Sequence, residues 1–377
     1  MSGILIHEWI EQTGGAEKVF DAFVDAFPSA DLLCLWNDDE GRYGDRAIRE
    51  SWIARTPLRR SKPLALPFMP AAWTAMRLQD YDWSLISSHL FAHHAGGIRA
   101  SASGMRKYVY VHSPARYLWT PDLDQRGDKP LVRAVAPALR ALDRRRARAS
   151  GAQFSANSMF VRQRIQDAWG VDADVIYPPV DVKRIQARSS WADVLNEHDQ
   201  EVLAGLPETF LLGAARFVPY KRLDLVIEAG EHADVPVVLA GSGPHQAALE
   251  ERAAQARVPV VFLDRPSDAL LFALYQRALA YVFPAVEDFG IMPVEAMAAG
   301  APVLVSDLGG ATESVVNGLT GVHVNAWTKS EVIGAVSTAA GLRAEDSALR
   351  ARRFDADTFR TEIRSWVGEV ADALPHR

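Results

Sequence analysis

Short runs of apolar residues alternate along the chain with stretches in which apolar residues recur every three or four positions. An apolar run bounded by turn residues is typical of a buried strand, and the second pattern is typical of a helix with one buried face. The runs predict strands at 4–6, 31–36, 82–88, 107–111, 153–157, 175–177, 209–215, 235–240, 258–263, 279–283, 302–306 and 321–324. Helices are predicted at 16–27, 130–150, 158–169, 223–233, from 245, and at 267–278, 292–299, 330–339 and 355–374.

Strands and helices alternate in both halves of the chain, which favours an α/β protein with two doubly wound sheets of parallel strands. The dipeptide Pro178-Pro179 makes a stiff exit from the last strand of the first half, so we place the link between the domains there. The predicted domains are residues 1–178 and 179–356. Residues 55–70 contain four prolines and are expected to form a loop or short helices.

Composition narrows the class of protein. Hydrophobic residues make up 49% of the 377 residues, which is enough for two ordinary cores, and the net charge of −6 gives no general attraction to nucleic acid. A single cysteine, Cys34, excludes a disulfide framework and a cysteine-rich metal site. The first residues lack signal-peptide features, and no apolar run approaches the roughly 20 residues that span a bilayer. We therefore expect a cytoplasmic protein.

Two carboxylates surround a glycine-centred loop after the strand at 279–283. Glu287 lies on the loop, and Glu295 is predicted in the first turn of the next helix. The loop backbone around Gly290 offers N–H groups to phosphate and sugar oxygens, and the carboxylates suit sugar and ribose hydroxyls. A glutamate near a helix start is also favourable by roughly 0.3–1 kcal/mol without any ligand, so both interpretations stay open.

Two cations flank a second strand end. Arg216 and Lys221 lie between the strand at 209–215 and the helix at 223–233, where open α/β sheets bind ligands. A guanidinium and an ammonium fixed there suit a diphosphate, whose negative charge grows as it leaves. The alternative is a pair of ordinary surface cations.

Glycine pairs follow two other strands. Gly14 and Gly15 precede the helix at 16–27, and Gly241 and Gly243 follow the strand at 235–240. Both turns allow the backbone to approach a sugar or a phosphate closely. A plain helix start explains the first pair equally well, and a lone Gly-x-Gly is weak support for the second.

Histidines follow two strands of the first half. His112 is predicted either as a ligand-binding group or as a loop histidine. His89 and His93 have the i, i+4 spacing of a metal pair, but no third ligand is evident, so packing or a substrate hydrogen bond is favoured. Asp-x-Asp strings lie in contexts that do not favour a metal site; they begin at Asp122, Asp172 and Asp355. We therefore expect no catalytic metal.

Basic residues crowd the end of the helix at 130–150, within residues 139–148. Cations near a helix C-terminus are favourable by themselves, so a solvated basic face is the default interpretation. The alternative is a peripheral membrane contact, at the inner face of the membrane, with anionic lipid or a lipid-linked acceptor.

The sequence EDFGIMPVEAMAAG, from Glu287 to Gly300, resembles the signature of retaining GT-B glycosyltransferases of family four, in which seven residues separate two glutamates. This sequence is similar to those of the branch that includes O-antigen mannosyltransferases. The sequences GGAEKV and HSPARYLW extend the resemblance to the first half of the chain. The resemblance implies two Rossmann-like domains that face each other across a cleft. It also implies that a terminal helix, residues 357–377, crosses back onto the first domain.

The resemblance assigns roles to the candidate residues. Arg216 and Lys221 would hold the diphosphate of a nucleoside diphosphate sugar, and Glu295 would hold its ribose. The predicted catalytic residues are Glu287, His112, Arg216 and Lys221. The predicted donor-binding residues are Gly14, Gly15, Arg216, Lys221, Gly241, Gly243, Arg265, Glu287, Phe289, Gly290, Ile291 and Glu295. The donor is expected to be GDP-mannose or a UDP-sugar, the acceptor a glycan, a lipid-linked molecule or a small molecule, and no cofactor is expected.

Three other functions stay open. A glycosidase would use paired carboxylates and would need no cationic clamp for phosphate. A sugar-nucleotide epimerase shares the GT-B architecture, but it needs acid and base groups around the carbon that is inverted. A catalytically silent nucleotide-binding subunit would keep Glu295 and Arg216 and could lose His112. The presence of candidate groups in both halves of the chain favours an enzyme.

Overall fold

The computed structural model describes residues 2–12, 14–97, 104–121 and 130–368, with only the backbone at 130–134. The chain divides into two compact units. The first contains residues 1–179 and 357–377, and the second contains residues 180–356. The boundaries predicted from the sequence were 178 and 356.

The first unit contains a sheet of seven parallel strands. The strands are β1 (Gly3–His7), β2 (Asp31–Cys34), β3 (Ile48–Glu50), β4 (Trp83–Ser88), β5 (Arg106–Val111), β6 (Gln153–Ala156) and β7 (Asp174–Val175). Their order in the sheet is β3-β2-β1-β4-β5-β6-β7, and every neighbouring pair is parallel. The chain therefore reverses its direction of winding between β1 and β4, which makes a crevice at the carboxyl ends of these strands.

Helices cover both faces of this sheet. They are Gly15–Ala26, Lys62–Ala65, Met69–Ala75, Arg116–Trp119, Pro130–Ala149, Met159–Trp169 and Ala356–Val367, with 3₁₀ turns at Trp52–Arg55, Pro57–Arg60 and Ala92–His94. Ile4 and Ile6 of β1 belong to one apolar cluster and Leu5 belongs to another, because successive residues of a strand point to opposite faces. A core on each face is what the doubly wound prediction requires.

The last described helix belongs to the first unit. Phe359 stacks on Phe23 with ring centroids 5.9 Å apart, and Ile363 and Val367 are fully buried in the same cluster. The predicted terminal helix extends to residue 377, and its part from 369 onward lies outside the described residues.

The second unit contains a sheet of six parallel strands. They are β8 (Leu211–Ala214), β9 (Val237–Ala240), β10 (Val260–Leu263), β11 (Ala280–Phe283), β12 (Val303–Ser306) and β13 (Gly321–Val324). Their order is β10-β9-β8-β11-β12-β13. The helices are Val182–Gln186, Glu197–Ala204, Leu223–Ala233, Gln246–Ala254, Asp268–Arg277, Ile291–Ala298, Ala311–Ser314, Lys329–Ala340 and Ala344–Ala351, with 3₁₀ turns at Ala192–Val194, Pro219–Lys221 and Arg352–Phe354.

The prediction of two doubly wound parallel sheets is confirmed. The edge strand β3 was not predicted, and neither were the helices at Val182–Gln186 and Glu197–Ala204. The proline-rich segment forms short helices, as expected. No helix in the described part of the chain is both long enough and apolar enough to cross a membrane.

Candidate functional site

The winding of the second sheet reverses between β8 and β11, which pair directly through Leu211 with Ala280 and Leu212 with Tyr281. The loops after these two strands therefore border one crevice at the carboxyl edge of the sheet. The topology thus explains why side chains 66 positions apart in the sequence meet at this edge.

Lys221 and Glu287 form an ion pair in this crevice: the Lys221 Nζ donates a hydrogen bond to the Glu287 Oε1. Their side chains are only 12% and 17% exposed. The ammonium also lies 5.4 Å from the ring centroid of Phe283, at the end of β11. A cation and a carboxylate are therefore held side by side in a partly desolvated place, where both interact with a ligand more strongly than they would in water.

Arg216 supplies a second cation on the loop after β8. Its side chain is exposed and makes no hydrogen bond or ion pair with the described residues, so its guanidinium is available to an anion. Arg265, on the loop after β10, is also exposed, and its Nε lies 3.4 Å from the Asp264 Oδ1. The predicted roles of both arginines stay predictions.

The loop that carries Glu287 is supported by two glycines that the sequence analysis did not select. The Gly310 N–H donates to the Glu287 carbonyl at 2.8 Å. A Cβ on Gly310 would lie 2.0 Å from the Asp288 carbonyl oxygen, and one on Gly309 would lie 2.9 Å from the Glu287 oxygen. Only residues without side chains fit there, so these glycines fix the position of the carboxylate loop.

Glu295 lies one residue further along the helix than predicted. The helix begins at Ile291, one residue earlier than expected, and its first turn contains no acidic residue. Burial raises the pKa of Tyr281, and the charges of Glu287 and Glu295 raise it further. The negative charges of both carboxylates therefore disfavour ionisation of the same tyrosine hydroxyl. This hydroxyl donates a hydrogen bond to the Ala214 carbonyl, at the end of β8, at 2.8 Å.

The residues between the two glutamates offer backbone to a ligand. Phe289 is 3% exposed, and its ring packs 5.5 Å from that of Phe354. Gly290 has a φ of 91°, a conformation that favours glycine, and it lies directly before the helix that starts at Ile291. The main chain is what Phe289, Gly290 and Ile291 would offer to a donor, and their donor contacts stay predictions.

The packing of the protein's own backbone requires glycine at positions 241 and 243. A Cβ on Gly241 would lie 2.0 Å from the Ala215 carbonyl oxygen, and one on Gly243 would lie 2.3 Å from the Phe217 carbonyl oxygen. The Phe217 N–H also donates to the Ser242 carbonyl at 2.8 Å. These glycines let two loops pack together, which explains their presence without a ligand.

In the first unit, Gly14 is the N-cap of the helix Gly15–Ala26, which begins one residue earlier than predicted. A Cβ on Gly14 would lie 1.9 Å from the Glu17 Oε2, and the Glu17 side chain is buried at this helix start. Burial raises the pKa of Glu17. An anion that binds at this N-terminus would have to displace a carboxylate, and the predicted approach of these glycines to a diphosphate stays a prediction.

Arg42 holds the glycine turn in place. Its guanidinium donates to both carboxylate oxygens of Asp21, at 2.8 and 2.6 Å, and to the carbonyls of Glu11 and Gln12, at 3.1 Å each. The fork geometry of arginine makes these simultaneous contacts possible. Sequence reasoning missed this residue because it lies in a polar segment without a motif.

Glu8 holds the loop after β4. It is fully buried, and its Oε1 accepts hydrogen bonds from the main-chain N–H groups of Leu90 and Ala92, at 2.8 and 2.7 Å. Burial raises the pKa of this carboxyl to about 7, although the hydrogen bonds oppose the rise. Glu8 therefore carries a proton at slightly acidic pH.

His112 lies directly after β5 and is half-buried, as expected for a residue at a strand end. Its Nε2 lies 2.7 Å from the Ser87 Oγ. Burial lowers the pKa of His112 to about 4, so the imidazole is neutral at neutral pH.

The structure groups His93 with His94 and Asp143, and not with His89, which has the i, i+4 spacing to His93. His93 and His94 both lie close to the Asp143 Oδ1, at 2.9 and 3.0 Å, and all three are buried. His89 instead packs at the edge of the Trp9 ring, 4.8 Å away. This packing is one of the two interpretations favoured from the sequence, and the i, i+4 spacing has no helical meaning here because Ala92–His94 is a 3₁₀ turn rather than part of a longer helix.

Hydrogen bonds also anchor the other oxygen of the Asp143 carboxylate. The Asp143 Oδ2 accepts from the indole N–H groups of Trp119 and Trp169, at 2.8 and 2.7 Å. Burial works to raise the pKa of Asp143, but His93 and His94 outweigh it and hold the pKa well below its usual value. Asp143 is therefore a buried anion that ties several elements of the first unit together. Asp122 lies outside the described residues.

The basic helix is more than a solvated face. Arg144 and Arg148 donate hydrogen bonds to the carbonyls of Ala168 and Trp169, at 2.8 and 2.6 Å. These bonds give partners to carbonyls at the C-terminus of the helix Met159–Trp169. Arginines can supply such bonds to terminal helix carbonyls. The predicted membrane contact through residues 139–148 stays a prediction.

Comparison with known families agrees with this architecture. Residues 13–184 match the family model described as Glycosyltransferase Family 4, and residues 196–339 match the model described as Glycosyl transferases group 1. The two matches follow each other along most of the chain, one in each half.

Individual relatives match over shorter stretches. The D-rhamnosyltransferase WbpZ of Pseudomonas aeruginosa is 38% identical over 134 residues, 34% of this chain and 34% of that protein. The O-antigen chain mannosyltransferase C of Escherichia coli is 31% identical over 127 residues, 32% of this chain and 34% of that protein. The chain spans 40%, 34% and 23% of the lengths of three curated relatives that it matches.

A solved structure is similar over nearly the whole chain. The crystal structure of HepE from Anabaena, in complex with UDP and glucose, has a TM-score of 0.69 and covers 97% of this chain and 99% of that chain. The sequences are 18% identical, so this likeness shows the fold alone. With both family models matched in order, the chain belongs to the GT-B glycosyltransferases of group 1.

Proposed function

We propose that the protein is a retaining glycosyltransferase that moves a hexose from a nucleoside diphosphate sugar to a hydroxyl of an acceptor. The observation that carries this proposal is the contact between the Lys221 ammonium and the Glu287 carboxylate in the crevice of the second sheet. An ammonium suits the oxygens of a diphosphate, and a carboxylate accepts hydrogen bonds from sugar hydroxyls. A nucleoside diphosphate sugar presents both kinds of group within a few bonds.

The charges of the second unit supply the chemistry. Arg216 and Lys221 bind the diphosphate and stabilise the negative charge that develops on it as the bond to the sugar breaks. These two cations perform the neutralisation that a metal ion performs in other transferases, so we propose a metal-independent reaction. Glu287 orients the sugar, and Glu295 accepts hydrogen bonds from the ribose hydroxyls.

The acceptor hydroxyl attacks the sugar on the face from which the diphosphate departs, and the departing phosphate takes its proton. This course retains the anomeric configuration. His112 and the turn at Gly14 and Gly15 act on the donor sugar and the acceptor. The acceptor is a glycan, a lipid-linked molecule or a small molecule.

The donor is GDP-mannose or a UDP-sugar. Relatives described as mannosyltransferases support the first, and a structural neighbour in complex with UDP and glucose supports the second. Thermal unfolding in the presence of each nucleotide sugar separates the two donors. A ligand at 100 times its Kd adds about 2.7 kcal/mol to the free energy of unfolding.

The test is the release of UDP or GDP from each nucleotide sugar by the purified full-length chain. Lys221→Ala should lower the rate by about 10²–10³-fold, since it removes a fixed cation at a developing charge. The matched control is Arg222→Asn, because Arg222 is exposed, pairs with Asp224 and has a φ of 52°, which asparagine tolerates. An unchanged rate in Lys221→Ala contradicts the proposed role.

The same assay separates the competing functions. An epimerase would change the sugar without releasing the nucleotide, and a silent subunit would bind the nucleotide sugar and leave it intact. Either result would overturn the proposal.

A further inference from the structure

Three neighbouring strands of the first sheet place two histidines and a serine in one line. His7, at the end of β1, is the register partner of Ser87 on β4, and His112 follows β5. The His7 Nδ1 lies 3.0 Å from the Ser87 Oγ, which lies 2.7 Å from the His112 Nε2. His7 and Ser87 are fully buried, so no bulk water competes for these hydrogen bonds.

The direction of the first bond follows from the other nitrogen of His7. The His7 Nε2 is buried and has no hydrogen-bond partner among the residues that the structure describes. Burial lowers the pKa of His7 well below its usual value, so the ring is neutral and carries one proton. A buried N–H without an acceptor is rarer than a buried acceptor without a donor. The proton therefore lies on Nδ1, and His7 donates to the Ser87 Oγ.

The second bond then has only one possible direction. The Ser87 hydroxyl has a single proton, and it accepts from His7, so it donates to the His112 Nε2. A neutral His112 whose Nε2 accepts a hydrogen bond carries its own proton on Nδ1. The His112 Nδ1 has no partner within the described part of the chain, and it is not among the buried polar atoms without one. That N–H is therefore accessible to a ligand.

We propose that Ser87, oriented by His7, is a positioning residue that fixes His112 as the Nδ1–H tautomer, so that His112 donates a hydrogen bond to a substrate oxygen. His112 then does not accept the proton of the acceptor hydroxyl, a conclusion that strengthens the assignment of that proton to the departing phosphate. The identity of the substrate oxygen rests on the proposed glycosyl transfer. The tautomer rests on the geometry of the first unit alone.

The test is nitrogen-15 NMR of the full-length protein with labelled histidine, because protonated and unprotonated ring nitrogens have well-separated shifts. The chain has 10 histidines, and the spectrum of His112→Gln identifies the signals of His112. We expect the proton of His112 on Nδ1 at neutral pH in the free protein. A proton on Nε2 in the wild-type protein overturns the inference.

Two variants separate positioning from general packing. Ser87→Ala removes the donor to the His112 Nε2 and should shift the tautomer of His112 towards Nε2–H. Ser84→Ala is the matched control, since Ser84 lies on the same strand, is equally buried and has a hydroxyl with no partner in the described part of the chain. It should leave the His112 signals unchanged. An unchanged tautomer in Ser87→Ala contradicts the proposal.

Activity supplies a second measurement. Ser87→Ala should lower kcat by about 3- to 10-fold, the loss expected for one hydrogen bond, whereas Ser84→Ala should not change it. If the wild-type protein turns over no nucleotide sugar, the proposed function fails, while the NMR result still decides the tautomer.

Discussion

The ion pair between Lys221 and Glu287 allows structural and catalytic contributions of the same residues to be separated. The variants are Lys221→Met and Glu287→Gln, singly and together. Methionine keeps an unbranched apolar stem, and glutamine keeps the shape of the glutamate side chain. Each single variant leaves one charged group without its partner, and the double variant removes both charges.

The exposure of the two side chains sets the magnitude. Because they are only 12% and 17% exposed, the effective dielectric constant is closer to 20 than to that of water. Removing one member of a fully buried pair costs roughly 3–5 kcal/mol, because the remaining charge stays desolvated. This pair keeps some contact with water, so we expect each single variant to lose about 2 kcal/mol. The double variant should lose about 2–3 kcal/mol in total, a coupling of about 1–2 kcal/mol.

Two measurements are made on the wild type, the two single variants and the double variant. The first is urea unfolding, in which the unfolding transition of interest is the one that nucleotide binding shifts. The second is the rate at which the nucleotide is released from the nucleotide sugar. The double variant should lose less stability than the sum of the two single losses, but its rate should stay as low as that of Lys221→Met, because catalysis needs the cation itself. If the stability losses of the single variants add up within about 0.5 kcal/mol, the two side chains are not coupled in solution. That result would refute the reasoning from which the donor site is built.

Three further perturbations and one control substitution test other parts of the molecule. Burial raises the pKa of Glu8 from 4.5 to about 7, so the folded protein holds a proton there between pH 4.5 and 7 that the unfolded chain releases, and stability falls as pH rises through this window. Glu8→Gln should remove about 3 kcal/mol of that fall, measured by urea unfolding at pH 5 and pH 8. Arg42→Lys should loosen the glycine turn and speed amide hydrogen exchange at Lys18, whose N–H donates to the Gly14 carbonyl at 3.3 Å. Gly310→Ala should displace the Glu287 loop and lower nucleotide affinity, because its Cβ would lie 2.0 Å from a carbonyl oxygen. Gly334→Ala, in a helix with open space around the added Cβ, should stabilise the protein by roughly 0.5–1 kcal/mol.

Each of these tests has an opposing result. Equal pH dependence of stability in the wild type and Glu8→Gln would mean that the folded protein does not protonate Glu8 in this window. Unchanged exchange at Lys18 would remove Arg42 from the support of the turn. If Gly310→Ala and Gly334→Ala changed nucleotide affinity equally, the contact between Gly310 and the Glu287 loop would not contribute to nucleotide binding.

The strands could be predicted from the sequence because helices cover both faces of each sheet. A parallel strand that is buried on both sides reads as a continuous apolar run, as Ile4, Leu5 and Ile6 do. The edge strand β3 was missed because its three residues are partly or fully exposed and include Arg49 and Glu50. Its pairing with β2 depends on backbone hydrogen bonds, which leave no apolar pattern.

The ends of two strands bring the predicted side chains of Lys221 and Glu287 together, but the contact itself was not predictable. The order of the strands brings Lys221 to Glu287, and no local spacing records it. The cluster at Asp143 joins residues 49 and 50 positions apart, for the same reason. Gly241 looked like a ligand-binding glycine because a sequence motif does not distinguish a close approach to a ligand from a close approach to the protein's own backbone.

The return of the chain to the first unit has a consequence for synthesis on the ribosome. Residues 1–179 emerge long before Phe359, Ile363 and Val367, which belong to the same apolar cluster. At about 5–20 residues per second, the intervening unit delays these side chains by roughly 10–40 seconds. During that interval the nascent first unit exposes the surface of Phe23 that Phe359 later covers. A translation product that stops before this helix keeps that surface uncovered, and it is a natural substrate for chaperones and proteases.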